Sequence, residues 1–150
     1  MSATWHRSSG TGTVAVWFLT LVAGASWGQE SPFPVQVGLV YEAEGQAAVL
    51  KGSGPEPTQG QRHLAAGQRV RTEAGRVELV LAPGIFLAVG HYTELEMTQP
   101  HLSDLQLELL SGSTALRAVD DSYLEGLSIR SGDAVVRFDK RGLYRLDAPA

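Results

Sequence analysis

Residues 64–95 read LAAGQRVRTEAGRVELVLAPGIFLAVGHYTEL. Val77, Leu79 and Leu81 alternate with Glu78 and Val80, the period-two pattern of a strand with one buried face. Ala82-Pro83-Gly84 follows as a turn, and residues 85–89 are apolar on both faces, as for a strand covered on both sides. Gly67, Gly75 and Gly84 stand where a turn needs positive φ or a close backbone approach. The stretch therefore reads as three short strands joined by glycine turns.

The same pattern extends in both directions. Downstream, Leu105, Leu107 and Leu109 alternate with Gln106 and Glu108, and Leu127 and Ile129 alternate with Ser128 and Arg130. Ser-Gly-Ser at 111–113, Asp-Asp-Ser at 120–122, Ser-Gly-Asp at 131–133 and Lys-Arg-Gly at 140–142 supply the turns. Upstream, residues 35–41 and 46–51 are strand-like, and Glu42-Ala43-Glu44-Gly45 between them reads as a hairpin. Residues 52–60, rich in glycine and proline, read as an irregular surface loop. No segment holds a 3.6-residue period. The expected fold over residues 35–147 is all-β: short antiparallel strands in a twisted solenoid-like or sandwich arrangement. Leu79, Leu81, Leu87, Leu107 and Leu109 are its expected core.

The first 28 residues read as a signal-peptide helix. Arg7 gives a basic start without acids, and a twelve-residue, mostly apolar run from Val14 ends in small side chains at Ala25. That is signal-peptide length, well short of the roughly 20 residues that cross a bilayer. Ala23-Gly24-Ala25 and Ser26-Trp27-Gly28 both suit cleavage, and residues 29–34 form an extended linker. The expected location is periplasmic or secreted, with no stable membrane insertion after cleavage. With 0 Cys, neither disulfides nor a lipoprotein attachment site is open to the chain. Taking Arg7 away from the 12 Lys and Arg leaves 11 bases against 16 acids. Such an acidic domain without a basic patch is a poor partner for nucleic acid.

The order Gly67, Val70, Thr72, Gly75, Arg76, Leu79, Leu81, Gly84, Leu87, Thr93 and Leu95 resembles the central motif of the FecR domain. Gly45 to Lys51 resembles its lead-in, and Leu107 to Gly112 with Gly142-Leu143-Tyr144-Arg145 resembles its second half. The resemblance spans roughly residues 36–147. It implies an extracytoplasmic all-β sensory module, which in the best-known members is the periplasmic part of an anti-sigma regulator of iron transport. The motif positions are structural glycines, core aliphatics and turn-bonding threonines. What it implies for this chain is envelope binding or sensing through a protein or cell-wall component, without catalysis or cofactor.

The chemistry-bearing residues are few. Glu94 and Glu96, two apart on a strand, face the same way, and His91 and His101 flank them. These four are the alternative reading, a small envelope hydrolase or metal-dependent enzyme. On period two alone, the glutamates more simply mark a solvated face. Tyr41, Tyr92, Tyr123 and Tyr144 are of the type that lines a sugar or peptide surface. Finally, the strand Leu143, Tyr144, Arg145, Leu146, Asp147 has only three residues after it. An unpaired edge is expected there, and an unpaired edge accepts a strand from a partner.

Overall fold

The computed structural model describes residues 37–52, 54–57 and 62–149; the expected signal peptide and linker lie outside the described residues. Those residues form eleven strands and no helix. They are β1 (Leu39–Lys51), β2 (Gly54–Pro57), β3 (Arg62–His63), β4 (Arg69–Ala82), β5 (Ile85–Val89), β6 (Glu94–His101), β7 (Asp104–Ser111), β8 (Ser113–Ala118), β9 (Leu127–Ser131), β10 (Ala134–Arg137) and β11 (Gly142–Asp147).

The strand pairing makes this a sheet folded back on itself. β1 occupies one edge of β4 from Arg69 to Val80. A strand has two edges, so β5 and β6 share the other, β5 beside residues 77–82 and β6 beside residues 69–71. End to end they form one run antiparallel to β4, interrupted at residues 90–93. β7 and β8 repeat this one position further out, interrupted only at Gly112, with β7 on β6 and β8 on β5. Along the line of these interruptions the sheet divides into two wings. One holds β5, β8 and β11, the other β6, β7, β9 and β10. The result is a curled half-barrel.

Glycine makes the fold line possible. Gly45 faces Gly75 across β1 and β4, beside a register shift. A Cβ on Gly75 would lie 2.5 Å from the Glu44 carbonyl oxygen and 2.7 Å from the Gln46 nitrogen. Gly112 takes φ 83°, and its Cβ would lie 2.6 Å from both the Thr93 Cα and the Tyr92 carbonyl oxygen. Backbones this close exclude any side chain, which is why a corner between strands selects glycine. Two threonine hydroxyls then fasten it. Thr72 Oγ1 donates to the Gly90 carbonyl and accepts from the Thr93 N–H at 3.0 Å. Thr93 Oγ1 accepts from the Ser113 N–H at 3.0 Å.

The space between the wings is the core. Leu87 and Leu116 fill it from one wing, with Leu79 of β4 beside them, and Leu95, Leu107 and Ile129 from the other, none more than 1% exposed. The five leucines expected as core are all in it. The packing is close: a Cβ on Gly38, beside Leu81 of β4, would lie 2.6 Å from Met97 Cε on β6.

Several local expectations are corrected. Residues 42–45 form no hairpin, because β1 runs unbroken through them and Gly45, at φ 70°, serves the fold line. Gly75 likewise lies inside a fourteen-residue strand and makes no turn. Residues 54–57 are not irregular: they pair with β1 from Ala48 to Lys51. Prolines are tolerated there because an edge strand can lack donors on its free side. The two longest strands have 13 and 14 residues, so the strands are not all short. One pair, β7 with β9, is parallel, the long excursion through residues 112–126 supplying the crossover that parallel pairing needs. β5 is covered on one face only; Ala88 is exposed, and Phe86 is half-buried with the Arg117 guanidinium 4.5 Å above its ring.

Candidate functional site

The residues of the glycine-rich motif are placed as scaffold. Val70, Leu79, Leu81, Leu87 and Leu95 are fully buried, and Thr72 and Thr93 stitch the fold line. Gly67 and Gly84 adopt φ 77° and 76°, as turns require. Arg76 pairs with Glu44 at 3.0 Å, its direct cross-strand neighbour, on the exposed surface. None of them converges on a cavity that reads as a reaction centre.

The histidines and glutamates of the alternative reading are not brought together. Glu94 and Glu96 share a face, as their spacing requires, and that face belongs to a salt-bridge cluster. Arg69 bridges both glutamates, at 3.1 and 2.7 Å, and Arg71 holds Glu94 at 2.8 Å. Partial burial pushes the Glu94 carboxyl up, but the hydrogen bond from Arg71, with Arg69 behind it, outweighs this and holds it below the ordinary carboxylate range. Its hydrogen bonds to Glu96 and Glu94 raise the Arg69 guanidinium correspondingly. His91 lies in the turn before β6 and His101 at the far end of that strand, both exposed. At about 3.3 Å per residue, eight residues of strand put them on the order of 20 Å apart. Among the described residues, no group of three or more His, Asp or Glu is placed to hold a metal ion. The tyrosines are also scattered: Tyr41 on β1, Tyr92 at the fold line, Tyr123 before β9 and Tyr144 on β11.

The strand Leu143 to Asp147 is where the structure is open. β11 pairs with β8 on one side, and β11 and β10 are the two ends of the strand path. Only residues 138–141 join them, a length at which a hairpin is ordinary, yet they do not pair. Phe138 stands between them. It is 3% exposed, turned into the core, and meets Tyr144 edge-on with ring centroids 5.0 Å apart. Tyr144 in turn donates from its hydroxyl to the Lys140 carbonyl at 2.5 Å. Between β10 and β11 lies a groove of about 710 Å³ lined by Ala134, Val136, Phe138, Tyr144 and Leu146 among others.

The register shows which backbone groups of β11 face this groove. The Ala148 N–H donates to the Gly112 carbonyl at 2.8 Å, continuing the β8–β11 ladder. Antiparallel ladders bond at alternate residues. Gly142, Tyr144 and Leu146 therefore turn their N–H and C=O toward β8. Leu143, Arg145 and Asp147 turn theirs to the open side. The side chain of Leu143 is 75% exposed, and Arg145 pairs with Asp147 at 3.0 Å. The β10 half of the seam carried no signal in the sequence, because Ala134 to Arg137 reads as any short strand.

No family model, curated protein or solved structure matches the chain.

Proposed function

We propose that this chain is an extracytoplasmic, FecR-like binding and sensing module of the cell envelope, and that its partner is a protein segment docking at the seam between β10 and β11. One observation carries the reading: the two ends of the strand path, β10 and β11, flank a single apolar-floored groove, and Leu143, Arg145 and Asp147 offer unpaired backbone donors and acceptors to it. An extended segment satisfies such groups by adding a strand. The composition of residues 1–28 supports export. The motif from Gly67 to Leu95 supports the family, since its glycines, threonines and aliphatics have the scaffold roles that the resemblance implies.

The test is capture from envelope extract by the tagged mature chain, beside its Leu143→Pro variant. Proline at 143 removes an outward-facing donor while leaving the bonds to β8 in place. A protein retained by the wild type and lost from an equally stable variant is the expected result. Equal retention by both would sink the seam as the docking site. Sedimentation with purified cell wall instead of any protein would replace the partner by a cell-wall component.

A further inference from the structure

We infer that the segment taken up by the seam alternates apolar residues, turned into the groove, with acidic residues turned outward to Arg137; this rests on the strand-docking reading above. Side chains of a strand alternate between faces. A segment laid beside β10 and β11 therefore sends every second side chain toward Val136, Phe138 and Leu146, an apolar floor. The others fall on the opposite face, beside Val135 and Arg137 of β10 and beside Leu143, Arg145 and Asp147 of β11.

The charge on that outer face is unbalanced, and the register locates the excess. A second cavity of about 270 Å³ lies on the outer face of β7, β9 and β10, bounded by Gln106, Glu108, Ser128, Arg130, Val135 and Arg137. Glu108 stands directly beside Arg130, and Arg130 beside Val135. Arg130 thus lies between the one carboxylate of this cavity and the edge strand, with its charge on the inner side of β10. Arg137 stands on the edge strand itself. Among the described residues it makes no ion pair, neither with Asp133 nor with Asp139 on the turns at the two ends of β10. On the other wall, Asp147 already takes the charge of Arg145. Arg69 and Arg71 are likewise taken by Glu94 and Glu96. Of the two arginines of this cavity, only Arg137 stands on the edge strand, and a carboxylate opposite it on an added strand is within direct cross-strand reach.

Two peptides of about seven residues, one alternating valine with glutamate and one alternating valine with lysine, distinguish the outcomes when titrated into the mature chain by calorimetry. The glutamate peptide is expected to bind about threefold to tenfold more tightly at low salt, the range for one exposed charge pair replaced by a like-charge contact. The gap should narrow in about 0.5 M salt. Arg137→Gln should abolish the gap, and Arg145→Gln should leave it. Equal binding of both peptides by the wild type would overturn the acidic preference while leaving the seam a strand-docking site. Binding of neither would overturn the docking reading along with it. A self-associated chain that the glutamate peptide fails to dissociate would make a second copy the occupant and also overturn the proposal.

Discussion

The fold line and the seam are opposite boundaries of the same curled sheet, and they are built by opposite means. At the fold line the N–H groups of Thr72, Gly90, Tyr92, Thr93 and Ser113 are all hydrogen-bonded, and glycines pack against backbone with no room for a methyl group. At the seam two strands a four-residue link apart leave their edges unpaired, separated by an aromatic wedge. Closure at one boundary holds the wings in place, and that rigidity keeps the other boundary open without collapse. Sites held by a rigid scaffold need not pay for their own order when a ligand arrives.

The sharpest way to break this contrast is at the corner. Gly112→Ala combines a left-handed φ, about 1–2 kcal/mol for a residue with a Cβ, with overpacking against Thr93, about 1–3 kcal/mol. The expected loss approaches 4 kcal/mol in thermal or urea unfolding. Gly67→Ala has a similar φ of 77° and open space around it, so about 1–2 kcal/mol is expected there. Equal losses would mean that the corner is not sterically tight.

Phe138→Ala tests whether the wedge holds the seam apart. Truncating a buried phenylalanine costs about 3–5 kcal/mol, and the lower end is expected because the adjoining groove lets the site relax. Hydrogen exchange should then show β10 and β11 losing protection before the fold line does. Uniform loss would erase the distinction between the boundaries.

Thr72→Val keeps the shape of the corner and removes its hydroxyl. It leaves the buried Thr93 N–H without its acceptor, an expected loss of about 1–3 kcal/mol by chemical denaturation. A neutral result would assign the corner's stability to glycine alone.

Proline scanning of β11 separates the two sides of one strand. Tyr144→Pro removes a donor that faces β8 and should lower the melting temperature clearly. Leu143→Pro removes one that faces the groove and should barely change it. The reverse order would mean that the ladder has the other parity.

The smallest effect is that of pH. The folded-state pKa of Glu94 lies below its unfolded value, so its contribution is present above the ordinary carboxylate range and is lost as pH falls through the folded pKa. Glu94→Gln should flatten the acid limb of a melting-temperature profile slightly. It should do nothing at neutral pH beyond the loss of an exposed cluster. An unchanged acid limb would show the cluster to be energetically silent.

Much of the scaffold was legible in residues 64–95 and 105–109, and little of the site. Alternation placed Leu79, Leu81, Leu107 and Leu109 on the inner face, because a period of two assigns faces without reference to any partner. Glu94 and Glu96 were legible as one solvated face for the same reason, whereas their partners Arg69 and Arg71 were not, since cross-strand neighbours depend on register. Glycine misled at 45 and 75. A residue without a Cβ serves equally a turn, a bulge or a close approach, and a local reading chooses the turn. Residues 54–57 misled in the same manner, since proline excludes a central strand and leaves an edge strand open.

What the amino-acid order determined by itself is thus the strand class, the inner and outer faces and most of the buried leucines, all consequences of local stereochemistry. The tertiary structure alone decided that the glycines form one corner, that β7 and β9 run parallel, and that β10 lies across a groove from β11. Those outcomes depend on which distant backbones meet. Hydrogen bonding between strands is indifferent to side-chain identity, so no short stretch encodes its partner.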